Sequence, residues 1–232
     1  MNFIKVKSNG KIFQLPIRDD ADASVAAEIF KEREYRIVEP VIMSAKDSIL
    51  DIGAHAGFFS LYARSLNPLV KIVAVEPEPN NFQFLNKNLT ENGVENIETI
   101  KAALSSKRGN RMLLISKDSH NHRLSISADQ GSPARSISVY TYSLSDLMKK
   151  CIINNVSLLK LDIEGGESEV IESLSGQDLS KIGAIIMEYH LRGGVDLKII
   201  EEKLRENGFG VQVIPSRFDK KMGFIFAKNK RK

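Results

Sequence analysis

The sequence predicts an α/β fold: a Rossmann-like, seven-stranded sheet with an antiparallel final strand, preceded by an N-terminal β-hairpin and helical cap. Residues 48–76 read as strand, glycine turn, helix, strand and acid, which is the order of a nucleotide-binding βαβ unit. Strand and helix patterns then alternate as far as residue 207. The last two apolar runs, 211–214 and 223–227, have no crossover helix between them, so they should pair antiparallel.

The first 46 residues are predicted to cap the main sheet. Alternating apolar residues on either side of a Ser8-Asn9-Gly10 turn predict a hairpin over residues 3–17. Helical patterns follow over 22–34 and from Pro40 to near Lys46. We expect residues 1–46 to contribute to the substrate pocket without forming a separate domain, and residues 47–232 to form the main domain as one structural unit.

The rest of the chain supplies the remaining strands and helices. A helix over 80–92 is opened by Pro77-Glu78-Pro79 and closed by Gly93. A third strand is expected from Ile97 to Leu104, where the small residues Ala102 and Ala103 would suit a flat adenine ring. Further strands are predicted at 111–115, 136–140, 156–163 and 182–190, with helices at 145–148, after Glu167 and over 195–207.

A polar loop over 116–135 separates two of these strands. A loop of this length inside a compact domain is usually functional or disordered. Its His120 and His122 form an H-x-H pair that could bind a metal, but no third ligand lies nearby in the sequence. A substrate loop or a plain surface loop is therefore favoured.

Composition narrows the class of protein. A chain of 232 residues with 42% hydrophobic residues can bury one substantial core, and no apolar run approaches the roughly 18 residues of a membrane span. The N-terminus has no apolar signal core, and the single Cys151 fits a reducing compartment, so a cytoplasmic location is expected. Part of the net charge of +4 lies in residues 228–232, and basic patches interleaved with aromatic residues are missing elsewhere, which makes a nucleic-acid partner unlikely.

The glycine turn after the first strand of the βαβ unit indicates the ligand. Gly53 permits a tight turn and Gly57 a close helix start, while Glu76 at the second strand end is placed to accept bonds from two ribose hydroxyls. His55 stands where a dinucleotide site has its middle glycine, and Asp51 would repel a pyrophosphate but attract an amino group. A ribose with a cationic amino-acid end means S-adenosylmethionine (SAM). The alternative is an ordinary βαβ turn with a solvated Glu76.

The later strand ends carry the candidate catalytic groups. Asp162 and Glu164 follow one strand, and Glu188 and His190 end the next, so all four should lie at the same sheet edge. His190 is the best candidate for the base that removes a proton from an acceptor hydroxyl, although it could also be an ordinary strand-end histidine. Asp162 and Glu188 could orient the acceptor, orient His190 or hold a divalent cation. No residue is assigned as a metal ligand.

Three segments resemble one known family: DIGAHAGFFSLYAR from Asp51, AVEPEPNNFQFLNKNL from Ala74, and LLKLDIEGGESEVIESL from Leu158 followed by IIMEYH. They are similar to the FkbM-type methyltransferases, which O-methylate sugars, polyketides and other hydroxylated metabolites with SAM. The resemblance implies that Asp51, Gly53, His55 and Gly57 line the methionine end of SAM and that Glu76 holds its ribose. The other predicted cofactor contacts are Phe58, Pro77, Ala102, Ala103 and Asp162. The resemblance also implies that Glu164, Glu188 and His190 face the acceptor. Tyr35 belongs to an N-terminal segment that is also similar to the family's, and it is predicted to bind the acceptor. Asp162 would lie near the transferred methyl group.

Two other functions remain open at this point. An RNA methyltransferase that acts on a base amino group typically has a proline- and aromatic-containing loop after the fourth strand, but this chain has Asp162-Ile163-Glu164-Gly165 there. A SAM-binding protein without catalysis would bind SAM regardless of Glu188 and His190. The expected partner is a small-molecule or glycan acceptor, and the sequence assigns no oligomeric state.

Overall fold

The computed structural model describes residues 2–116, 122–125, 135–190, 197–216 and 222–231, with only the main chain of His190. The strands are β1 (Asn2–Ser8), β2 (Lys11–Ile17), β3 (Ser48–Ile52), β4 (Ile72–Val75), β5 (Ile97–Ile100), β6 (Ala103–Leu104), β7 (Gly109–Leu114), β8 (Arg123–Leu124), β9 (Ser136–Tyr142), β10 (Val156–Leu161), β11 (Ile182–His190), β12 (Phe209–Pro215) and β13 (Met222–Asn229). The helices are α1 (Asp20–Ala27), α2 (Glu39–Ser44), α3 (Phe58–Leu66), α4 (Pro79–Glu91), α5 (Leu144–Lys150), α6 (Glu167–Ser173), α7 (Gly176–Ser180) and α8 (Leu197–Glu206).

The central sheet has seven strands in the order β12-β13-β11-β10-β3-β4-β5. The pairs from β11 to β5 are parallel, whereas β13 runs antiparallel to both β11 and β12. Strands β3 and β4 are buried along their whole length, which explains their unbroken apolar runs, because a parallel sheet is covered on both faces. The predicted fold class, including the antiparallel final strand, is confirmed.

Helices cover both faces of this sheet and enclose two cores. On one face Leu50, Val73, Leu159 and Ile185 pack against α5, α6, α7 and α8. On the other face the alternating partners of these strands pack against α3, α4 and the N-terminal segment. Because successive strand residues point to opposite faces, each strand contributes to both cores. Within the described residues, none of the helices is both long enough and apolar enough for a bilayer crossing.

The N-terminal segment folds as a hairpin followed by short helical turns. Asn9 and Gly10 have φ of 44° and 80°, as a two-residue hairpin turn with a right-handed strand twist requires. The predicted helix over 22–34 is wrong at its end: α1 stops at Ala27, a π-helical turn covers Glu28–Glu32, and Arg33 has φ of 56°. Phe13 and Leu15 of β2 join the core beside α3. The domain boundary at residue 46 stays a prediction.

A second sheet lies beyond β5, in the order β6-β9-β7-β8. The predicted strand from Ile97 to Leu104 is therefore two strands, and only its first half belongs to the central sheet. The reason is a tight turn, in which the Ala102 N–H donates to the Ile100 carbonyl oxygen at 3.1 Å and redirects the chain. Ala103 and Leu104 then pair with Thr141 and Tyr142 of β9.

Candidate functional site

A cavity of about 820 Å³ opens where β3, β4, β10 and β11 end, and the N-terminal segment, the second sheet and β12–β13 close its sides. Open parallel sheets bind ligands at this edge, because the helix starts and the loops after the strands converge there. The predicted site residues that line the cavity are Tyr35, Gly53, His55, Phe58, Glu76, Pro77, Ala102, Ala103, Asp162, Glu164 and Glu188. Residues predicted from distant parts of the sequence thus share one cavity.

The glycine turn after β3 depends on the absence of side chains. Gly53 has φ of +75°, and a Cβ atom there would lie 1.7 Å from the carbonyl oxygen of Asp162. The turn after β3 and the end of β10 are therefore in direct backbone contact. Gly57 has φ of +79°, and a Cβ atom would lie 2.4 Å from Leu85 Cδ1. Both glycines are required by conformation and by space.

Glu76 ends β4 with its carboxylate buried and held by the backbone. Oε2 accepts a hydrogen bond from the His55 N–H at 2.8 Å, and Oε1 accepts one from the Glu78 N–H at 2.9 Å. Burial raises the pKa of Glu76 to about 7, since removing a carboxylate from water disfavours its charged form. Each oxygen keeps further lone-pair capacity for a ligand. The carboxylate is thus oriented before any ligand arrives.

Asp51 does not line the cavity, and its contact with the cofactor stays a prediction. It is fully buried, and its Oδ2 accepts a bond from Ser60 Oγ at 2.7 Å. Lys160 Nζ lies 3.3 Å from its Oδ1, so a lysine ammonium stands beside Asp51 where the amino group of a ligand was expected. Gly57 also lies behind the cavity wall, because it packs against Leu85. Both residues support the turn and are not among the residues that face the cavity.

Lys160 joins the turn after β3 to the end of β10. Its Nζ donates to the Gly53 carbonyl oxygen at 2.8 Å and lies 3.3 Å from Asp162 Oδ2 as well as from Asp51. Burial alone would lower the pKa of Lys160, but the carboxylates of Asp162 and Asp51 outweigh it and raise that pKa. The ammonium therefore stays charged, with 4% of the residue exposed at the cavity wall.

Asp162 and Glu188 form a carboxyl pair at the other end of the cavity, joined by a hydrogen bond. Burial, followed by the charge of Asp162, raises the pKa of Glu188 far above its ordinary value. Two carboxylates in contact cannot both ionise readily, and Lys160 stabilises the charge of Asp162. Glu188 therefore holds the shared proton at neutral pH.

The loop after β10 is fixed by a buried glutamate. Glu167 Oε1 accepts a bond from the Ile163 N–H at 2.8 Å, and Oε2 accepts one from the Gly165 N–H at 2.9 Å. Glu164 has φ of 56°, a left-handed conformation that is strained for a residue with a Cβ atom unless something holds it, whereas Gly165 adopts its φ of 101° freely. Burial raises the pKa of Glu167 to about 7. Its two bonds hold Glu164 at the cavity.

Tyr35 brings the N-terminal segment into the cavity. Its ring lies edge-on to Phe59 and Phe224, with centroid distances of 4.9 and 5.3 Å. Burial, then the charges of Asp162 and Glu188, raise the pKa of Tyr35 well above its ordinary value, so the phenol stays neutral. Three carboxylates of the same segment also line the cavity: Glu28, Glu32 and Glu34. Its contribution to the cavity agrees with the expectation from the sequence.

Some predicted residues lie wholly or partly outside the residues that the structure describes. The side chain of His190 lies outside the described part of the chain, as does His120 with most of the 116–135 loop, so the assignment of His190 as base stays a prediction. His122 lines the cavity and its Nδ1 accepts a bond from the Ser116 N–H at 3.1 Å. Across the described ranges, no group of three or more His, Cys, Asp or Glu side chains is placed to hold a metal ion.

Several residues that line the cavity or fix its loops were not predicted from the sequence. Lys160 is the most consequential, and its signal was a lysine inside an otherwise apolar, buried strand. Such a lysine requires a partner in the core, because burying an unpaired ammonium is costly. Glu167, in the first turn of α6, gave no signal beyond the usual preference for acids at helix starts. The other unpredicted lining residues include Phe59, Ile163, Leu113 and Leu124.

The sequence matches the methyltransferase FkbM domain over residues 51–211. It is similar to the 31-O-demethyl-FK506 methyltransferase FkbM of Streptomyces tacrolimicus, with 26% identity over 79% of this chain and 80% of that protein. It is also similar to the hexuronic acid methyltransferase AglP of Haloferax volcanii, with 24% identity over 80% of this chain and 75% of that protein.

The fold is similar to that of a solved structure, the METTL16 MTase domain. The TM-score is 0.55 at 16% identity, and the match covers 97% of this chain and 85% of that chain. At this identity the likeness concerns the fold alone. It supports the Rossmann-like arrangement of the central sheet.

Proposed function

We propose that this chain transfers a methyl group from SAM to a hydroxyl oxygen of a small-molecule or glycan acceptor. The chain belongs to the methyltransferase FkbM domain family and is a methyltransferase. The fold supports SAM as the cofactor, since it is the fold of SAM-dependent methyltransferases. The hydroxyl acceptor is the finer part of the proposal and is supported by the site and by the relatives.

The observation that carries the proposal is the buried carboxylate of Glu76. A carboxylate at the end of the second strand, with both oxygens oriented by backbone N–H groups and lone pairs left over, suits a ribose diol. Gly53 and Ala54 beside it present a backbone without bulky side chains, and Ala102 and Ala103 offer a shallow wall for adenine. The residues present therefore fit an adenosyl group.

The positions of the remaining residues define two ends of the cavity. The cofactor end, as we name it, consists of Gly53, His55, Glu76, Pro77 and Ala102. The acceptor end consists of Tyr35, Asp162, Glu164 and Glu188. When bound, SAM supplies a methyl group on a positively charged sulfur, which an oxygen nucleophile can attack. The protein's task is to orient that oxygen and to take its proton.

Asp162 is suited to orient the acceptor. Lys160 keeps its carboxylate charged, and Glu188 donates the shared proton to it, so Asp162 presents acceptor lone pairs towards a hydroxyl. The hydroxyl proton then passes to this carboxyl pair or to His190, the base predicted from the sequence. Tyr35, neutral and flanked by rings, excludes water from the acceptor end.

The names of the two relatives support an oxygen-bearing acceptor. One acts on an O-demethyl form of FK506 and the other on a hexuronic acid. We extend to this chain only what these have in common, a hydroxylated molecule with no nucleic-acid character. A cytoplasmic site of action, expected from the sequence, belongs to the same proposal. A divalent cation at Asp162 and Glu188 would have to be shown by loss of activity with EDTA and recovery with magnesium.

The test is methyl transfer from SAM carrying a deuterated methyl group to hydroxylated metabolites and glycans, followed by mass spectrometry. We expect a labelled product whose methyl lies on oxygen. Glu76→Ala should weaken SAM binding in calorimetry by about tenfold or more, since two ribose bonds are lost. Glu172→Gln, an exposed change on α6, is the matched control. Labelled RNA instead of metabolite, or SAM binding that is unaffected by Glu76→Ala, would contradict the proposal.

A further inference from the structure

The Glu76 carboxylate is part of a closed ring of contacts, and this ring passes through the N-terminal segment. His55 donates its N–H to one oxygen of Glu76, and Glu78 donates its N–H to the other, at 2.8 and 2.9 Å. The Glu78 carboxylate in turn accepts a bond from the Asn81 N–H at 2.7 Å. Arg18 completes the ring, because one nitrogen of its guanidinium contacts the Asn81 side chain and another contacts His55.

The contacts of Arg18 fix its position on every side. Its Nη1 donates to Asn81 Oδ1 at 2.8 Å, and its Nη2 lies 3.1 Å from His55 Nε2. Its Nε and Nη2 donate to the two oxygens of Asp22 at 2.9 and 2.8 Å, which is a bidentate pair. The guanidinium carbon stands 4.1 Å from the centre of the Phe84 ring.

The contacts of His55 link the position of Arg18 to the orientation of Glu76. A guanidinium can only donate, so His55 Nε2 is the acceptor in its bond with Arg18, and Asp22 Oδ1 lies 3.4 Å from the same nitrogen. His55 also has φ of 49°, a left-handed conformation that costs a residue with a Cβ atom and persists only when its surroundings hold it. Its backbone N–H, which orients Glu76, is fixed by this same conformation. The bond from Arg18 is one such constraint.

Asp22 makes the arrangement rigid. It is fully buried, and besides pairing with the Arg18 side chain it accepts the Arg18 backbone N–H at 2.8 Å. A buried charge pair is costly unless its geometry is good, and it then favours one arrangement of the surrounding groups. Arg18 and Asp22 also precede residue 51, where the match to the family domain begins. They therefore lie in the N-terminal segment, outside the part of the chain that matches the family domain.

We infer that Arg18, fixed by Asp22, is a positioning residue for the cofactor site: it holds His55 and Asn81 on either side of Glu76 and so fixes the carboxylate that would receive the ribose. Neither residue of the pair needs to touch the ligand. The N-terminal segment then serves both ends of the cavity, with Tyr35 at the acceptor end and Arg18 behind the cofactor end. This inference rests on the proposed function.

The test compares SAM affinity in matched double variants. Arg18→Met/Asp22→Asn removes both charges together and retains an acceptor for the Arg18 backbone N–H. Its dissociation constant for SAM, measured by calorimetry, should rise about tenfold, as for the loss of a charge-assisted bond. Arg111→Met/Glu169→Gln removes another partly buried ion pair, in which one Arg111 nitrogen contacts both oxygens of Glu169, and it should change the constant less than about twofold.

A double-mutant cycle separates positioning from general support. In a Glu76→Gln background, Arg18→Met/Asp22→Asn should weaken SAM binding by much less than tenfold, because its effect passes through Glu76. An undiminished loss in that background, or unchanged affinity in the native background, would overturn the inference. Should the double variant not fold, Arg18→Lys serves instead: its ammonium keeps the charge opposite Asp22 but cannot contact His55 and Asn81 in parallel. It too should lose affinity, and full affinity would overturn the inference. Wild-type protein that binds no SAM would refute the proposed function before any variant is compared.

Discussion

The cofactor end and the acceptor end of the cavity hold their carboxylates in opposite ways. At the cofactor end, Glu76 is oriented by the backbone N–H groups of Glu78 and His55, and His55 lies in a turn whose glycine leaves no room for a side chain. At the acceptor end, Asp162 is held by the side chains of Lys160 and Glu188. The backbone-built end therefore depends on conformation, whereas the other end depends on the balance of charges and can be altered one side chain at a time.

The largest effect should come from Lys160, which serves both ends. Lys160→Met leaves Asp51 and Asp162 without their shared cation, and one of them is fully buried. We expect the free energy of unfolding, measured in urea, to fall by about 3–5 kcal/mol. Lys160→Met/Asp51→Asn should recover a good part of this loss. Equal stability of the single variant and wild type would mean that the ammonium does not hold the two ends together.

Gly53→Ala tests the backbone-built end. The added Cβ would meet the Asp162 carbonyl oxygen at 1.7 Å and would force an alanine to φ of +75°. We expect a loss of about 2–5 kcal/mol in urea unfolding together with loss of SAM binding. Gly93→Ala is the matched control, because Gly93 also has positive φ but nothing lies within 4 Å of its Cβ position. If the two variants lose equal stability, conformation alone explains the need for Gly53.

The charge balance at the acceptor end is tested by two amide substitutions. Asp162→Asn removes the charged member of the pair and should lower turnover about a hundredfold, once an acceptor is known. Glu188→Gln replaces a protonated carboxyl by a group that still donates to Asp162, so turnover should fall less than about tenfold. Steady-state kinetics with both variants decides the matter. The reverse order of effects would mean that Glu188 is the charged partner.

The smallest expected effect is a pH dependence of cofactor binding. Because the pKa of Glu76 is raised to about 7 and the ionised form accepts more bonds, SAM affinity should rise about tenfold as the pH increases from about 6 to about 8. Calorimetry across this range should show the rise in wild type and a flat profile in Glu76→Gln. A rise of equal size in both proteins would assign the titration to another group.

The two ends also differ in what the sequence predicts. The cofactor end follows from local patterns, since a strand, a glycine turn and an acid at the next strand end are enough to find Gly53 and Glu76. The acceptor end depends on contacts between strands that are neighbours in the sheet but far apart in the sequence. Asp51 was expected to attract the ligand's amino group, but Lys160, more than a hundred residues further along, occupies that position.

The fold itself was mostly predictable. The one large error in its prediction, a single strand over residues 97–104, has a local cause. Apolar periodicity and connection lengths are sufficient for the seven-stranded sheet and its antiparallel strand. The break between β5 and β6 depends on a single turn at Ala102, which no periodicity marks, and so the second sheet was missed. The ring through Arg18 and His55 was equally unpredictable, because the contacts that close it join segments distant in the sequence through the Arg18 side chain.

The contact between Gly53 and the Asp162 carbonyl has a consequence for protein engineering. Since the main chain of Asp162 rests directly on the turn after β3, the spacing between Asp162 and the cofactor end is set by a backbone contact. Replacing wall residues such as Phe224 or Leu113 to admit guests of another shape should therefore leave this spacing intact. Such a scaffold offers a starting point for designing catalysts with altered selectivity.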